Sequence, residues 1–122
     1  MAKMALMLNS IQNIIEQIKS FRDDRDWIQF HDPKSMAASI TIEAAELLEH
    51  FQWKNKEEAE KYVKTHKNEI AEEIADVAIY LFELSDNLEI DLLDAMHEKL
   101  EKNAAKYPIE KAKGVHTKYD QL

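Results

Sequence analysis

Four acidic residues occur as two pairs with helical spacing, in the pattern E-x-x-E followed by E-x-x-D. Glu43 and Glu46 form the first pair, and Glu73 and Asp76 form the second. Residues three apart share one face of a helix, and apolar residues such as Ile40 fall on the same faces. Burying an unpaired carboxylate costs several kcal/mol. We therefore expect a cation, most simply a divalent metal ion, to neutralise these acids.

The chemistry of this donor set narrows the choice of metal. Ligands that are all oxygen favour hard ions such as Mg²⁺, with Mn²⁺ as a second choice, over zinc or copper. The chain has no cysteine, so thiolate zinc sites and cysteine nucleophiles are excluded. A di-iron bundle needs Glu-x-x-His on two helices, whereas Asp94-x-x-His97 stands alone and is interpreted as surface. Glu72 precedes Glu73, so the inward carboxylate is uncertain by one residue.

Aromatic residues lie close in sequence to the ends of the acidic helices. Trp27, His31 and Trp53 are the most suggestive of them. Flat rings of this kind can stack on a nucleobase, but they also pack at helix ends in proteins that bind no base. The residue types alone leave both interpretations open.

A third group, Asn103, Lys106 and Tyr107, falls within about one turn near the end of the last predicted helix. A lysine near a helix C-terminus often serves only to interact with the helix dipole. Asn103 and Tyr107 share a face, however, and Lys106 has the length to reach a phosphate. This pattern also leaves both interpretations open.

The elements that must position these groups are all helical. A single glycine and two prolines leave little turn chemistry. Ser35 is a plausible N-cap of the second helix, Asp91 of the last, and Pro108 should end that helix. Leu48 and Ile74 are expected to point inward. The predicted helices cover residues 5–25, 35–53, 56–64, 68–87 and 91–107.

The length of 122 residues fits one domain, with a helical domain over 1–110 and a tail over 111–122. The residues after Pro108 show no sustained period and are expected to be extended. A net charge of −8 argues against nucleic-acid binding, which needs a basic stripe. No apolar stretch approaches a membrane span, so no membrane partner is expected and the protein is interpreted as cytoplasmic. Short helices leave apolar faces uncovered, which predicts a homodimer or homotetramer.

Four segments together resemble a known family. They are RDWIQFHDP (25–33), TIEAAELLEHFQWK (41–54), EEIADVAIYL (72–81) and KNAAKYP (102–108). In order and spacing, this set is similar to the all-alpha nucleoside triphosphate pyrophosphohydrolases, and within them to the MazG-like dCTP pyrophosphatase branch. Many relatives have glycine between the first two glutamates, where Ala44 and Ala45 stand here. The resemblance implies a bundle of four to five helices.

Carried over by position, the resemblance implies residue roles. Glu43, Glu46, Glu73 and Asp76 would bind Mg²⁺, and our hypothesis for the general base is Glu46. Trp27, His31 and Trp53 would line the base and sugar pocket. Asn103, Lys106 and Tyr107 would help to hold the nucleotide.

The implied reaction is hydrolysis of a nucleoside triphosphate, dCTP or a 5-modified dCTP, to monophosphate and pyrophosphate. One alternative is a house-cleaning pyrophosphatase with broad specificity for nucleoside triphosphates. A second alternative, of another class, is a helical oligomerisation module without catalysis.

Overall fold

The structure is a computed structural model that describes residues 2–122, with side chains described from residue 10 onward. Two short 3-10 turns, Ile28–Phe30 and Tyr119–Gln121, accompany the helices. Within residues 2–122 there is no β-strand, so the predicted all-α fold is confirmed. The helices are α1 (Ala2–Asp24), α2 (Pro33–Glu49), α3 (Lys56–Asn87), α4 (Leu92–Lys106) and α5 (Ile109–Ala112).

Helix α2 begins earlier than the sequence suggested. Its N-cap is Asp32 rather than Ser35, because Pro33 occupies the first helical position, where its fixed φ and missing N–H are tolerated. The Asp32 carboxylate accepts hydrogen bonds from the Ser35 N–H at 3.1 Å and the Ser35 hydroxyl at 2.6 Å. These bonds hold the pKa of Asp32 below its usual range. The helix ends at Glu49, before the predicted end at Trp53.

Helix α3 joins two segments that were predicted to be separate. Asn55 and Glu58 form a capping box at its start. The backbone departs from helical angles only at His66, with φ −125° and ψ 24°. The His66 ring stacks on Tyr62 with a centroid distance of 3.8 Å. With no proline or glycine nearby, the helix kinks at this point instead of ending.

The chain forms two compact units, one ending at Leu88 and one spanning Glu89–Leu122. In the first unit α3 contacts both α1 and α2. The buried apolar side chains in the part with described side chains are Ile18, Met36 and Ile70. Leu48 and Ile74, which were expected to point inward, are 60% and 53% exposed. Those two predictions were wrong, because this unit buries only a narrow stripe of each helix.

The second unit starts as predicted. Asp91 caps α4 by accepting from the Asp94 N–H at 3.1 Å, and the helix ends at Lys106. The residues after Pro108 are not uniformly extended, because they form α5 and the final 3-10 turn. The Tyr119 ring of that turn packs edge-on against Tyr107 at a centroid distance of 6.1 Å. The domain limits proposed at 110 and 111 stay a prediction.

Across the helices described, none combines the length and the apolar character that crossing a bilayer requires.

Candidate metal and nucleotide site

The acidic residues of α2 and α3 meet where the two helices pack together. Oxygen atoms of Glu43, Glu73 and Asp76 lie within 4.8 Å of one another. Glu46 lies one turn after Glu43 and is near enough to Glu43 and Glu73 to contribute to the raised pKa of each. Glu72 is exposed, so the inward carboxylate is the one that the pattern named. We call Glu43, Glu46, Glu73 and Asp76 the acidic cluster.

Two oxygen atoms of the acidic cluster are buried without a hydrogen-bond partner among the described residues. They are Glu43 Oε2 and Glu73 Oε2. Burial raises the pKa of Glu43 from 4.5 to about 7, and hydrogen bonding to Glu46 and the charges of Glu46, Asp76 and Glu73 add to the rise. Burial and the neighbouring Glu46 and Asp76 also raise the pKa of Glu73. Crowding of like charges with too few donors is what a bound cation would relieve.

The residues present fit a hard divalent cation. All of the converging donors are carboxylate oxygens, which suit Mg²⁺ or Mn²⁺. The two orphaned oxygens, Glu43 Oε2 and Glu73 Oε2, supply unused lone pairs. A solvated surface patch would not leave such oxygens without a partner, because its carboxylates would be hydrated.

A cavity of about 330 Å³ opens on one side of the acidic cluster, and we call it the aromatic cavity. Glu43 and Asp76 form part of its wall, so it reaches the candidate metal site. Phe21 and Trp27 meet in it edge to face with centroids 5.8 Å apart. Its remaining lining residues are Gln17, Ile18, Arg22, His31, Ile79, Tyr80 and Glu83. A volume of this size with aromatic walls suits a small molecule with a flat ring.

Sequence reasoning placed Trp27 and His31 at a base pocket but missed Tyr80 and Glu83. These two residues follow Asp76 by four and seven positions, so they lie on the same face of α3. That spacing was the available signal. Burial and the nearby acids Glu43, Asp76 and Glu83 raise the pKa of the Tyr80 hydroxyl, which keeps it protonated as a hydrogen-bond donor.

A second cavity, of about 310 Å³, lies on another side of the acidic cluster, and we call it the polar cavity. Glu46 and Glu73 line it together with Glu49, His50 and Tyr62. The His50 Nδ1 and the Tyr62 hydroxyl are 2.7 Å apart. Lys54 brings a positive charge to this region, since its Nζ lies 4.1 Å from the centre of the Tyr62 ring.

The other predicted site residues lie elsewhere. Trp53 does not line either cavity and is 88% exposed. Asn103, Lys106 and Tyr107 belong to the second unit, where Lys106 Nζ lies 4.7 Å from the centre of the Tyr119 ring. Their roles in holding a nucleotide stay predictions.

Comparison with known proteins supplies an independent line of evidence. Residues 38–122 match the MazG-like family. The chain is 32% identical over 115 residues to dCTP pyrophosphatase 1 of Mus musculus and of Homo sapiens, covering 93% of this chain and 68% of each relative. A crystal structure of a pyrophosphatase from Archaeoglobus fulgidus is also similar, with a TM-score of 0.79 and 45% identity. That match covers 81% of this chain and 93% of the other.

Proposed function

The chain belongs to the MazG-like family and is a nucleotide pyrophosphohydrolase, and we propose that it converts dCTP, or a 5-modified dCTP, to the monophosphate and pyrophosphate with Mg²⁺. The observation that supports this most is the position of the acidic cluster. Orphaned carboxylate oxygens adjoin a cavity with aromatic walls. In this arrangement the carboxylates can bind the divalent metal that accompanies a triphosphate, and the cavity can bind the base.

The acidic cluster is proposed to organise the reacting end of the substrate. Its carboxylates would hold a divalent metal ion, which would offset the charge of the triphosphate and help to activate the attacking water. Glu46 is proposed as the general base that accepts a proton from the attacking water, because it lies beside both Glu43 and Glu73. The water oxygen forms a bond to the α-phosphorus, the bond from that phosphorus to the bridging oxygen breaks, and pyrophosphate leaves.

The aromatic cavity is proposed to hold the base and sugar. Trp27 is 42% exposed and lines this cavity, and so does His31. Stacking of a base on such rings contributes about 1–3 kcal/mol per base. The mammalian relatives are named dCTP pyrophosphatase 1, which supports cytosine as the base.

The protein is also proposed to work as a homodimer or homotetramer. Large apolar side chains of the first unit lie exposed, among them Ile42 at 58%, Leu48 at 60% and Trp53 at 88%. Covering such surface favours association of copies. On this proposal Trp53 joins a base pocket only after assembly, and Asn103, Lys106 and Tyr107 keep their proposed nucleotide contacts.

The test is pyrophosphate release from a panel of deoxy- and ribonucleoside triphosphates, each with Mg²⁺ and with excess chelator. Magnesium-dependent release led by dCTP, with dCMP as the second product, is expected. Release of pyrophosphate at similar rates from nucleotides of every base would instead indicate a house-cleaning enzyme of broad specificity. No release from any nucleotide would contradict catalysis and leave the helical oligomerisation module.

A further inference from the structure

Glu83 is the most deeply buried of the described acidic side chains, at 3% exposed, yet it lines the aromatic cavity. It lies on α3 seven residues after Asp76, which places it two turns, or roughly 10 Å, along the helix axis. The acidic cluster is therefore at one position along the cavity wall and Glu83 at another. A buried carboxylate needs hydrogen bonds to offset the loss of hydration.

The hydrogen bonds to Glu83 all end on one of its two oxygens. Its Oε2 lies 2.6 Å from His31 Nδ1 and accepts from Asn87 Nδ2 at 3.1 Å. Arg22 approaches the same oxygen with an N···O distance of 3.7 Å, which is an ion pair rather than a hydrogen bond. Among the residues whose side chains are described, no hydrogen bond reaches Oε1.

The neighbours of Glu83 are held by other partners and leave Oε1 unused. Arg22 Nε donates to Asp23 Oδ1 at 2.8 Å, and Arg22 Nη1 donates to Asn87 Oδ1 at 3.1 Å. Asn87 therefore accepts from Arg22 and donates to Glu83, which fixes the carboxylate in one orientation. A carboxylate held this way has one lone-pair set ready for a ligand donor.

We propose that Glu83 Oε1 accepts a hydrogen bond from the exocyclic amino group of the base, so that Glu83 selects cytosine over uracil and thymine. The inference rests on the proposed function and deepens it by naming a specificity residue. Carboxylates recognise the 4-amino group of cytosine because it is a pure donor at that edge. Uracil and thymine present a carbonyl oxygen at the same place, and two acceptors repel each other.

The separation along α3 agrees with this assignment. When the α-phosphate lies at the acidic cluster, the base must lie further from it by the width of a sugar. The two turns between Asp76 and Glu83 leave that space. The rings of Phe21, Trp27 and Tyr80 line the same cavity and supply flat surfaces for the base.

The first test compares kcat/KM for dCTP and dUTP in the wild-type protein, in Glu83→Gln and in Glu69→Gln. Glutamine keeps the size of Glu83 and an oxygen for His31, but its amide can also donate to a carbonyl. We expect the ratio of dCTP to dUTP activity to fall by about tenfold to a hundredfold, the range of one hydrogen bond to a charged group. Glu69→Gln makes the same chemical change at an exposed position of α3 and should leave the ratio unchanged.

A structural role alone would give a different result, because damage to the cavity lowers activity on both substrates equally. An unchanged ratio in Glu83→Gln, with pyrophosphate still released, would overturn the inference and leave the proposed function standing. Absence of magnesium-dependent release from every nucleotide in the wild-type protein would overturn both.

A second test needs no variant and applies even where Glu83→Gln fails to fold. The wild-type protein is given dCTP and the analogue whose base is 2-pyrimidinone, which lacks the 4-amino group. Loss of the amino donor should lower kcat/KM by about tenfold or more. Equal turnover of the two substrates would contradict a role for Glu83 in reading that group.

Discussion

The acidic cluster and Glu83 belong to the same helical unit, but their carboxylates differ in how their hydrogen-bonding needs are met. In the acidic cluster, Glu43 Oε2 and Glu73 Oε2 are buried with no partner among the described residues. Glu83 is more deeply buried, yet its Oε2 is met by His31, Asn87 and Arg22. The unpartnered oxygens of the acidic cluster favour a cation, whereas the held carboxylate of Glu83 favours a hydrogen-bond donor.

The difference is one of charge balance. Glu83 has cationic and amide neighbours within the chain, so its charge is compensated by the fold. The neighbours within the acidic cluster are other acids, and burial together with repulsion from those acids raises the pKa of Glu43 to about 7. A group that is compensated by the fold serves structure and base recognition. A group that is not compensated in this way would be stabilised by a cation from outside.

The largest effect should come from removing a member of the acidic cluster. We expect Asp76→Asn to lower kcat/KM for dCTP by more than about a hundredfold, since even outer partners of metal ligands cost 10–100-fold when mutated. The helical fold should be retained, because the change removes a repulsive charge. Steady-state pyrophosphate release and far-UV circular dichroism measure the two quantities. Activity within a few-fold of the wild type would contradict the site assignment.

Removing a carboxylate should change the free energy of unfolding in opposite directions at Glu83 and in the acidic cluster. Glu83→Ala leaves His31 and Asn87 without their buried hydrogen-bond partner and Arg22 without its ion pair, so it should lower the free energy of unfolding by about 3 kcal/mol. Glu43→Gln relieves like-charge repulsion, so without metal it should leave that free energy unchanged or raise it. Urea unfolding in excess chelator provides the comparison. A similar loss of stability in both variants would show that the two environments do not differ.

A smaller effect is expected from pH. Since the pKa of Glu43 rises from 4.5 to about 7 on folding, the folded state holds this proton more tightly than the unfolded state. The metal-free protein should therefore lose stability as pH rises from about 4.5 through about 7. The apparent affinity for Mg²⁺ should rise over the upper part of that window, because the ion competes with the proton.

Thermal unfolding at a series of pH values, with chelator and with Mg²⁺, measures both trends. The Glu43→Gln variant is the matched control, since it has no carboxyl group to titrate at that position. A wild-type profile in chelator that matches the profile of Glu43→Gln would contradict the assignment of the raised pKa to Glu43.

The sequence was sufficient to predict an all-helical chain and to place Glu43, Glu73 and Asp76 on helix faces that meet, because both follow from local spacing. It was not sufficient for the start of α2, where Asp32 competed with Ser35 and the first-turn Pro33 decided the outcome. It also did not show that α3 continues past His66, since a kink and a break have similar local patterns.

The contacts of Glu83 could not be predicted from the sequence for a different reason. Arg22 on α1 and His31 in the loop before α2 meet Glu83 only through packing, 61 and 52 positions apart in the chain. No local pattern contains that information. The position of Glu83 seven residues after Asp76 was visible, but many exposed glutamates of this chain share such spacings.

The most direct test of the central claim is binding of Mn²⁺, followed by the loss of the electron paramagnetic resonance signal of the free ion. The wild-type protein, Glu73→Gln and Glu83→Gln are titrated side by side. We expect the wild-type protein and Glu83→Gln to bind Mn²⁺ with similar affinity. Glu73→Gln should bind it much more weakly, because Glu73 belongs to the proposed metal site and Glu83 does not. Equal binding by all three proteins would contradict a metal site at the acidic cluster.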